Sequence, residues 1–567
     1  VSSEITYPAT TAFTRFQKWD FGGHRRFSDF WTAEIEKDPC LRQLVMTFDL
    51  VFGIDGIARV ASDNVVVTSG TDSEERTYLA AIQQEPEITF SYTLGQSSAS
   101  GRSLTLSVPT ALVNPRSLIS QGRLLAGFGE VALQVDGGDL DERFPLLIGD
   151  MDDGVTFNYD PDDDNQSDFV EFAISDPVIT ADRGLPPWVL DSDRWEDIHD
   201  SAVGERCQII LGGYDYVPLV PVDTIGNSEW LVGYGHNMTV STVYVNGTSV
   251  SAGDATYGWS VDEKTDFFDL PVTVIRFTGS WSPSTEDFNE GVHVTVSTTS
   301  DADNLIDTIE TLLLDYSPLG RRMVDMEAIA LARAKLGNLR TYVMINGSSG
   351  GESTTVFDFI ENGLLSSFPM VSMAWTGSGY GPIVTDRRDG RIALKLEPGS
   401  YPCISRASAV SESARADLFN DFTLRYGYDL LNDTWTGVVT RNPDNSDLCR
   451  LSRELIGGRA VHDVIEAPYI KDESVAEYVI DWLVEHMGFP TYEVTYVCYP
   501  SVLFWLRLGD NIEVVDDHFG WTDETGTVEE IKYSRGAVLV KVRVWLRYYE
   551  LSGGSRAYGG YQTFPAQ

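Results

Sequence analysis

Lysine is scarce in this sequence. Eight of its 41 basic residues are lysine and none lies between Lys37 and Lys264, so no cationic run is available to track a phosphate backbone. Asp and Glu number 85, and the formal net charge of −44 argues against a protein that grips DNA, RNA or an anionic lipid surface. Cysteine is equally rare. Cys40, Cys207, Cys403, Cys449 and Cys498 are odd in number, far apart and without a C-x-x-C. That pattern fits neither a disulfide framework nor a structural zinc site, and all five read as reduced thiols. Long apolar runs are missing too: no stretch reaches the roughly 18 residues of a membrane span. The opening Val1-Ser2-Ser3-Glu4 has neither a basic nor an apolar leader segment. The expectation is a soluble chain made in a cytoplasm, with no export signal.

What is present is ample apolar material. Hydrophobic residues make up 42% and aromatics 11% of 567 residues, enough for several packed cores. The predicted fold class is mainly β and multidomain, with one α+β module. Short strands are expected at 44–50, 87–94, 103–109, 130–135, 155–159 and 169–175, a texture that suits a small barrel or sandwich. Alternating Ile88, Phe90, Tyr92 and Leu94, a Gly/Ser-rich turn, then Leu104, Leu106 and Val108 read as a hairpin with one buried face. The first domain is placed at 1–181 and a proline-bearing connector at 182–205. A β-rich domain follows at 206–300, where Asn246-Gly247 carries the strongest hairpin signal in the chain.

Residues 301–415 change period. Leu305, Ile309, Leu312 and Leu313 recur at helical spacing, Met326 to Leu336 runs into Gly337, and a helix is expected over 355–365 after a strand at 341–345. This is expected to be the one substantially helical part. The last domain, 416–567, returns to strands at 422–428, 435–440, 493–499, 503–508, 511–515 and 538–548. One helix over 472–485 interrupts them, with Val475, Val479, Trp482 and Leu483 on a single face.

No motif assigns a reaction. Asp160 to Glu171 places carboxylates at the ligand spacing of a calcium loop, but its flanks read as strands and Asn165 stands where glycine is usual, so a solvated acidic hairpin tip accounts for it. Gly347-Ser348-Ser349-Gly350-Gly351 matches a nucleophile elbow, yet a Gly/Ser turn before a Thr-capped helix explains the same residues. Of the later histidines, His462, His486 and His518 sit in no triad motif, and none of the seven shows zinc spacing. Paired carboxylates such as Asp152-Asp153 and Asp516-Asp517 arise by chance among 85 acids. Scattered Trp and Tyr at alternating positions read as core, not as a sugar groove. No catalytic, cofactor or metal residue is assigned, and the chain is not expected to be an enzyme. The alternative function is an acidic β-rich carbohydrate-binding adhesin or polysaccharide hydrolase.

Two segments carry a resemblance. The first is Pro186-Pro187-Trp188-Val189-Leu190-Asp191-Ser192-Asp193-Arg194-Trp195, running on to Cys207-Gln208-Ile209-Ile210-Leu211-Gly212-Gly213 and Val217-Pro218-Leu219-Val220-Pro221-Val222-Asp223. The second is Leu506-Arg507-Leu508-Gly509-Asp510-Asn511-Ile512-Glu513-Val514, followed by Gly526-Thr527-Val528-Glu529-Glu530-Ile531. In this order, with a helix pair, a strand near Trp375 and a strand-turn-strand over 422–441 between them, they resemble the tail hub (baseplate hub or tail-tip) proteins of tailed bacteriophages. The resemblance spans about residues 40 to 550. It implies a structural protein of the virion tail, whose first and last domains are tube-like β-barrels. It also implies a homotrimer, whose six barrels continue a six-fold tube. Its implied partners are a distal tail protein or tail-tube ring, tail fibre or tip proteins, the tape-measure protein, and viral DNA passing through without specific binding. Carboxylates lining such a channel would repel phosphates and let DNA slide.

Overall fold

The computed structural model describes residues 29–545 apart from 42, 53–55, 69–74, 83–84, 93–102, 110–126, 139–142, 152–154, 159–168, 177–183, 194, 196–197, 224–228, 236–237, 265–270, 283–290, 299–302, 318, 320, 338, 347–353, 388–390, 430–431 and 535. Strand dominates, arranged in several sheets with one helix-rich core between them.

The first sheet has nine strands. Val65–Thr68, Glu75–Ala80, Gly56–Ala61, Val45–Phe52, Gly127–Gln134, Phe144–Asp150, Phe169–Ser175 and Ser103–Pro109 follow in spatial order, and Val155–Asn158 also pairs with Phe169–Ser175. Its alternation is physical. Val170, Phe172 and Ile174 point inward and lie opposite Val108, Leu106 and Leu104, so one face of the antiparallel pair is continuous apolar surface.

The hairpin expected from 87–94 and 103–109 does not form. Ser103–Pro109 pairs with Phe169–Ser175, and Ile88–Ser91 pairs with the late strand Trp521–Ser534 instead. Alternation specifies which face of a strand is buried but not its partner, and here the far end of the chain supplies that partner.

Residues 206–300 build two sheets over one core that holds Trp230, Val243, Ile275 and Val294. The Asn246-Gly247 turn joins Met238–Val245 to Thr248–Val250 with φ of 48° and 73°, the left-handed pair that a two-residue type I′ hairpin requires. Ile209–Leu211, at the end of the connector, is flanked by Glu229–Tyr234 and by Val343–Ile345.

The helix Met326–Leu336 is held by its ends. Asp325 accepts from the backbone N–H of Glu327 and Ala328 at 3.0 and 2.9 Å, and Gly337 closes it with φ 59°. Leu305–Thr311 runs on into a wider turn over Leu312–Tyr316, and the 355–365 expectation resolves into short turns from Val356 to Ser367, capped by Thr355. Glu473–Met487 buries Val475, Val479, Trp482 and Leu483 as its spacing predicts.

Helix is not confined to 301–415 plus this one element. A further helix, Asp447–Ile456, begins at Ser446, whose side chain accepts from Cys449 N–H, and ends at Gly457 in the left-handed region with φ 73°. One core joins Leu305, Ile360 and Tyr380 to Phe422, Cys449 and Trp482.

The last sheet runs Lys395–Leu396, Asn511–Asp516, Trp521–Ser534, Ala537–Trp545, Thr491–Cys498 and Cys403–Arg406, with Ser411–Glu412 on Thr491–Cys498 and Ile88–Ser91 on Trp521–Ser534. The expected strand 503–508 is instead a short helical turn, Pro500–Phe504, followed by irregular chain. Proline opens that turn because it has no N–H to give a ladder and a φ suited to a first helical position. Both large sheets are open at their ends among the described residues, so the barrel closure expected of the first and last domains is not seen.

Candidate junction between the first and last sheets

The geometry concentrates where the two ends of the chain meet. Ile88–Ser91 lies antiparallel on the second half of Trp521–Ser534, with Ile88 opposite Tyr533, Phe90 opposite Ile531 and Ser91 opposite Glu530. Tyr92 N–H continues the ladder to Glu529 O at 3.2 Å. Its hydroxyl, buried, accepts from Thr385 Oγ1 at 3.1 Å. Burial raises the Tyr92 phenol well above its ordinary value, so it is neutral and available to this bond. Polar pairs fix the register from outside: Lys532 pairs with Glu87, and Ser534 donates to Glu87 at 2.7 Å.

Beneath the exchanged strand the two sheets share one core. Phe48, Leu106 and Phe172 of the first sheet belong to the same buried cluster as Val514, Ile531 and Val540 of the last. Phe504 wedges between Trp31 and Phe144, with ring centroids 4.6 and 4.7 Å away. Tyr401 adds a polar tie by donating to Pro39 O at 2.8 Å. The hairpin of Val371–Thr376 and Gly379–Val384 also reaches the first sheet, and a Cβ added at Gly377 would stand 2.2 Å from Pro145 O.

A cavity of about 350 Å³ lies at this three-way meeting, lined by Phe90, Phe144, Lys335, Leu506, Arg507 and Asp510 among others. Its charges are committed to one another. Lys335 Nζ sits 3.6 Å from Asp510 and donates to Gly509 O at 3.2 Å and Val384 O at 3.4 Å. Arg507 pairs with Glu327 through its guanidinium, while its backbone N–H reaches Asp510 at 2.9 Å. Burial pushes the Asp510 carboxyl above its ordinary range, against the opposing pull of Lys335 and Arg507. This network ties the helix Met326–Leu336 to the start of the last sheet.

The candidates read from the sequence are not brought together here. Ser349, Asp152, Asp153 and the carboxylates of 160–168 lie outside the described residues. The strands flanking the acidic loop, Val155–Asn158 and Phe169–Ser175, do pair as a hairpin. His462 packs on Phe419 with centroids 4.8 Å apart, His486 stacks on Trp482 at 4.0 Å, and His518 lies beside Phe519. Asp516 is held by Arg406 at 3.0 Å. Trp230, Trp482 and Trp545 are fully buried, so these rings are core and offer no sugar platform. No cluster of three His, Cys, Asp or Glu with metal-holding geometry occurs among the described residues. The junction is not legible in the sequence, because Phe504, Lys335 and Phe90 belong to three separate stretches whose patterns look like ordinary core and surface.

No family model and no curated protein matches the chain. Among solved structures it is similar to the tail protein from Neisseria meningitidis MC58, at 7% identity and TM-score 0.38, covering 88% of this chain and 97% of that one. It is likewise similar to the 43 kDa tail protein of prophage MuSo2 from Shewanella oneidensis, at 12% identity and TM-score 0.38, over 88% and 98%. A topological model of the p2 virion baseplate in its activated conformation covers 63% of this chain and 96% of that one, at 8% identity and TM-score 0.19. These neighbours are tail and baseplate proteins.

Proposed function

We propose that this chain is a structural tail protein, a hub that closes the distal end of a phage tail tube. The observation that carries the reading is the junction: the first and last sheets share one core and one exchanged strand, so each chain presents two β modules as a fixed pair. Three such chains present six modules, the number that a six-fold tube ring requires. Fixed pairing is what a tube adaptor needs, since a flexible linker between modules would leave the six positions unset.

On this reading the homotrimer docks on a distal tail protein or tail-tube ring, carries fibre or tip proteins and meets the tape-measure protein. The genome passes through its axial channel without specific binding. With −44 charges per chain, repulsion of phosphate and not attraction is the dominant long-range term. The paired charges at the cavity and the buried tryptophans supply nothing that favours an adhesin or hydrolase.

Light scattering with electron microscopy of the purified protein tests the reading. A ring of three chains with an axial opening is the expected result. A monodisperse monomer that cleaves or binds polysaccharide sinks it.

A further inference from the structure

The last sheet places two of the five cysteines directly across from each other. Cys403 lies opposite Cys498 in the antiparallel pair of Cys403–Arg406 and Thr491–Cys498. The neighbouring position identifies the kind of pair. Tyr499 N–H donates to Pro402 O at 3.0 Å, so 402 and 499 form the hydrogen-bonded pair, and Cys403 N–H turns away to Ser400 O at 2.7 Å. Cys403 and Cys498 therefore occupy the non-hydrogen-bonded position, where Cα atoms stand about 4.5 Å apart and side chains approach each other most closely. That separation lies at the short end of the range disulfides span. Both side chains are buried in the core shared by the two large sheets, and the Cys403 thiol donates to Ser405 O at 3.9 Å.

We propose that Cys403 and Cys498 are a disulfide-forming pair that clamps the edge strand Cys403–Arg406 to the last sheet once the protein meets an oxidising medium. The oxidant is a low-molecular-weight disulfide such as oxidised glutathione. One cysteine thiolate attacks it, forming a mixed disulfide and releasing one small thiol; the second cysteine then displaces the other small thiol. Two protein thiols are oxidised and one small disulfide is reduced to two thiols, with protons conserved.

The same features explain why the pair stays reduced in a reducing compartment. The neighbouring Cys403 and burial push the Cys498 thiol above its ordinary value and keep it protonated, and burial shuts the pair off from an oxidant, so the exchange waits on opening of the edge strand. That strand is built to open: it has four residues, and a bulge between Cys403 and Ser405 leaves Ile404 half-exposed. The link would close a loop of about 95 residues, a length at which constraint of the unfolded chain is large. On the tail reading the medium is that outside the host, which a virion protein meets only after assembly.

The test uses the full chain, purified with its thiols reduced. It is incubated folded with oxidised glutathione, and separately refolded in a glutathione redox buffer; remaining thiols are then alkylated under denaturing conditions and peptides mapped without reductant. The expected result is a single linked peptide pair joining Cys403 to Cys498, with Cys207 and Cys449 alkylated, and a higher unfolding midpoint in the oxidised than in the reduced protein. Cys403→Ala is expected to lose the redox-dependent shift in midpoint. Both cysteines alkylated after both treatments, or linkage to another cysteine or to glutathione in place of each other, overturns the proposal, and the peptide map does not depend on the variant folding.

Discussion

Phe90, near the start of the chain, lies directly opposite Ile531, near its end, in one antiparallel ladder. Both are buried in the core common to the first and last sheets. The shared ladder and core predict that the two sheets unfold as a single cooperative unit.

Phe90→Ala tests that coupling. Removing a buried aromatic costs about 3–5 kcal/mol through lost transfer and the cavity left behind. Denaturant unfolding followed separately by a probe in each sheet is expected to show both transitions moving to lower midpoint together. Movement of the last sheet alone, which the Phe90 strand joins, would show that the shared core does not couple them.

The Asp510 carboxyl gives a pH dependence of known sign. Its folded-state pKa is raised, so between the ordinary carboxylate value and that raised value the folded protein holds more protons than the unfolded chain. Stability from this group is therefore present at low pH and is lost as pH rises through the window. Asp510→Asn is expected to flatten that part of the midpoint-against-pH curve, and Lys335→Met, which removes the opposing cation 3.6 Å away, to extend the window upward. Thermal unfolding across the acid range checks both.

Gly377→Ala places a methyl against backbone that cannot yield, 2.2 Å from Pro145 O. Overpacking of this kind costs roughly 1–3 kcal/mol. The expected outcome is a loosened contact between the hairpin of Val371–Thr376 and the first sheet, read as faster limited proteolysis and a lower melting midpoint. Wild-type proteolysis would mean that the contact is not needed to hold the two together.

Gly247→Ala is a local counterpart. At φ 73° nothing lies within 4 Å of the added Cβ, so the cost is backbone strain alone, about 1 kcal/mol. A midpoint shift of that size with the oligomeric state unchanged is expected. A large loss of stability would show that the turn does more than connect two strands.

Local features are legible in the sequence where short-range chemistry decides them. Asn246-Gly247 marks its hairpin because few residues tolerate two positive φ values in a row. Gly337 ends the helix Met326–Leu336, and the spacing of Val475, Val479 and Trp482 marks the buried face of Glu473–Met487. The helix Asp447–Ile456 escapes a reading by period although Ser446 and Gly457 bracket it with ordinary cap residues. The segment 503–508 misleads because its run of apolar residues, Leu503, Phe504, Trp505, Leu506 and Leu508, also fits a turn buried on several sides.

The amino-acid sequence by itself determined the β-rich class, the helical stretch after residue 300, the lack of a cationic run and the local turns, because period, caps and charge act over a few residues. Only the tertiary structure decided that Ile88–Ser91 leaves its neighbours for Trp521–Ser534, that Cys403 faces Cys498, and that Lys335 meets Asp510. Strand partners are chosen by the summed burial of whole faces, and two strands with the same alternation present the same face to any partner until the chain has folded around them.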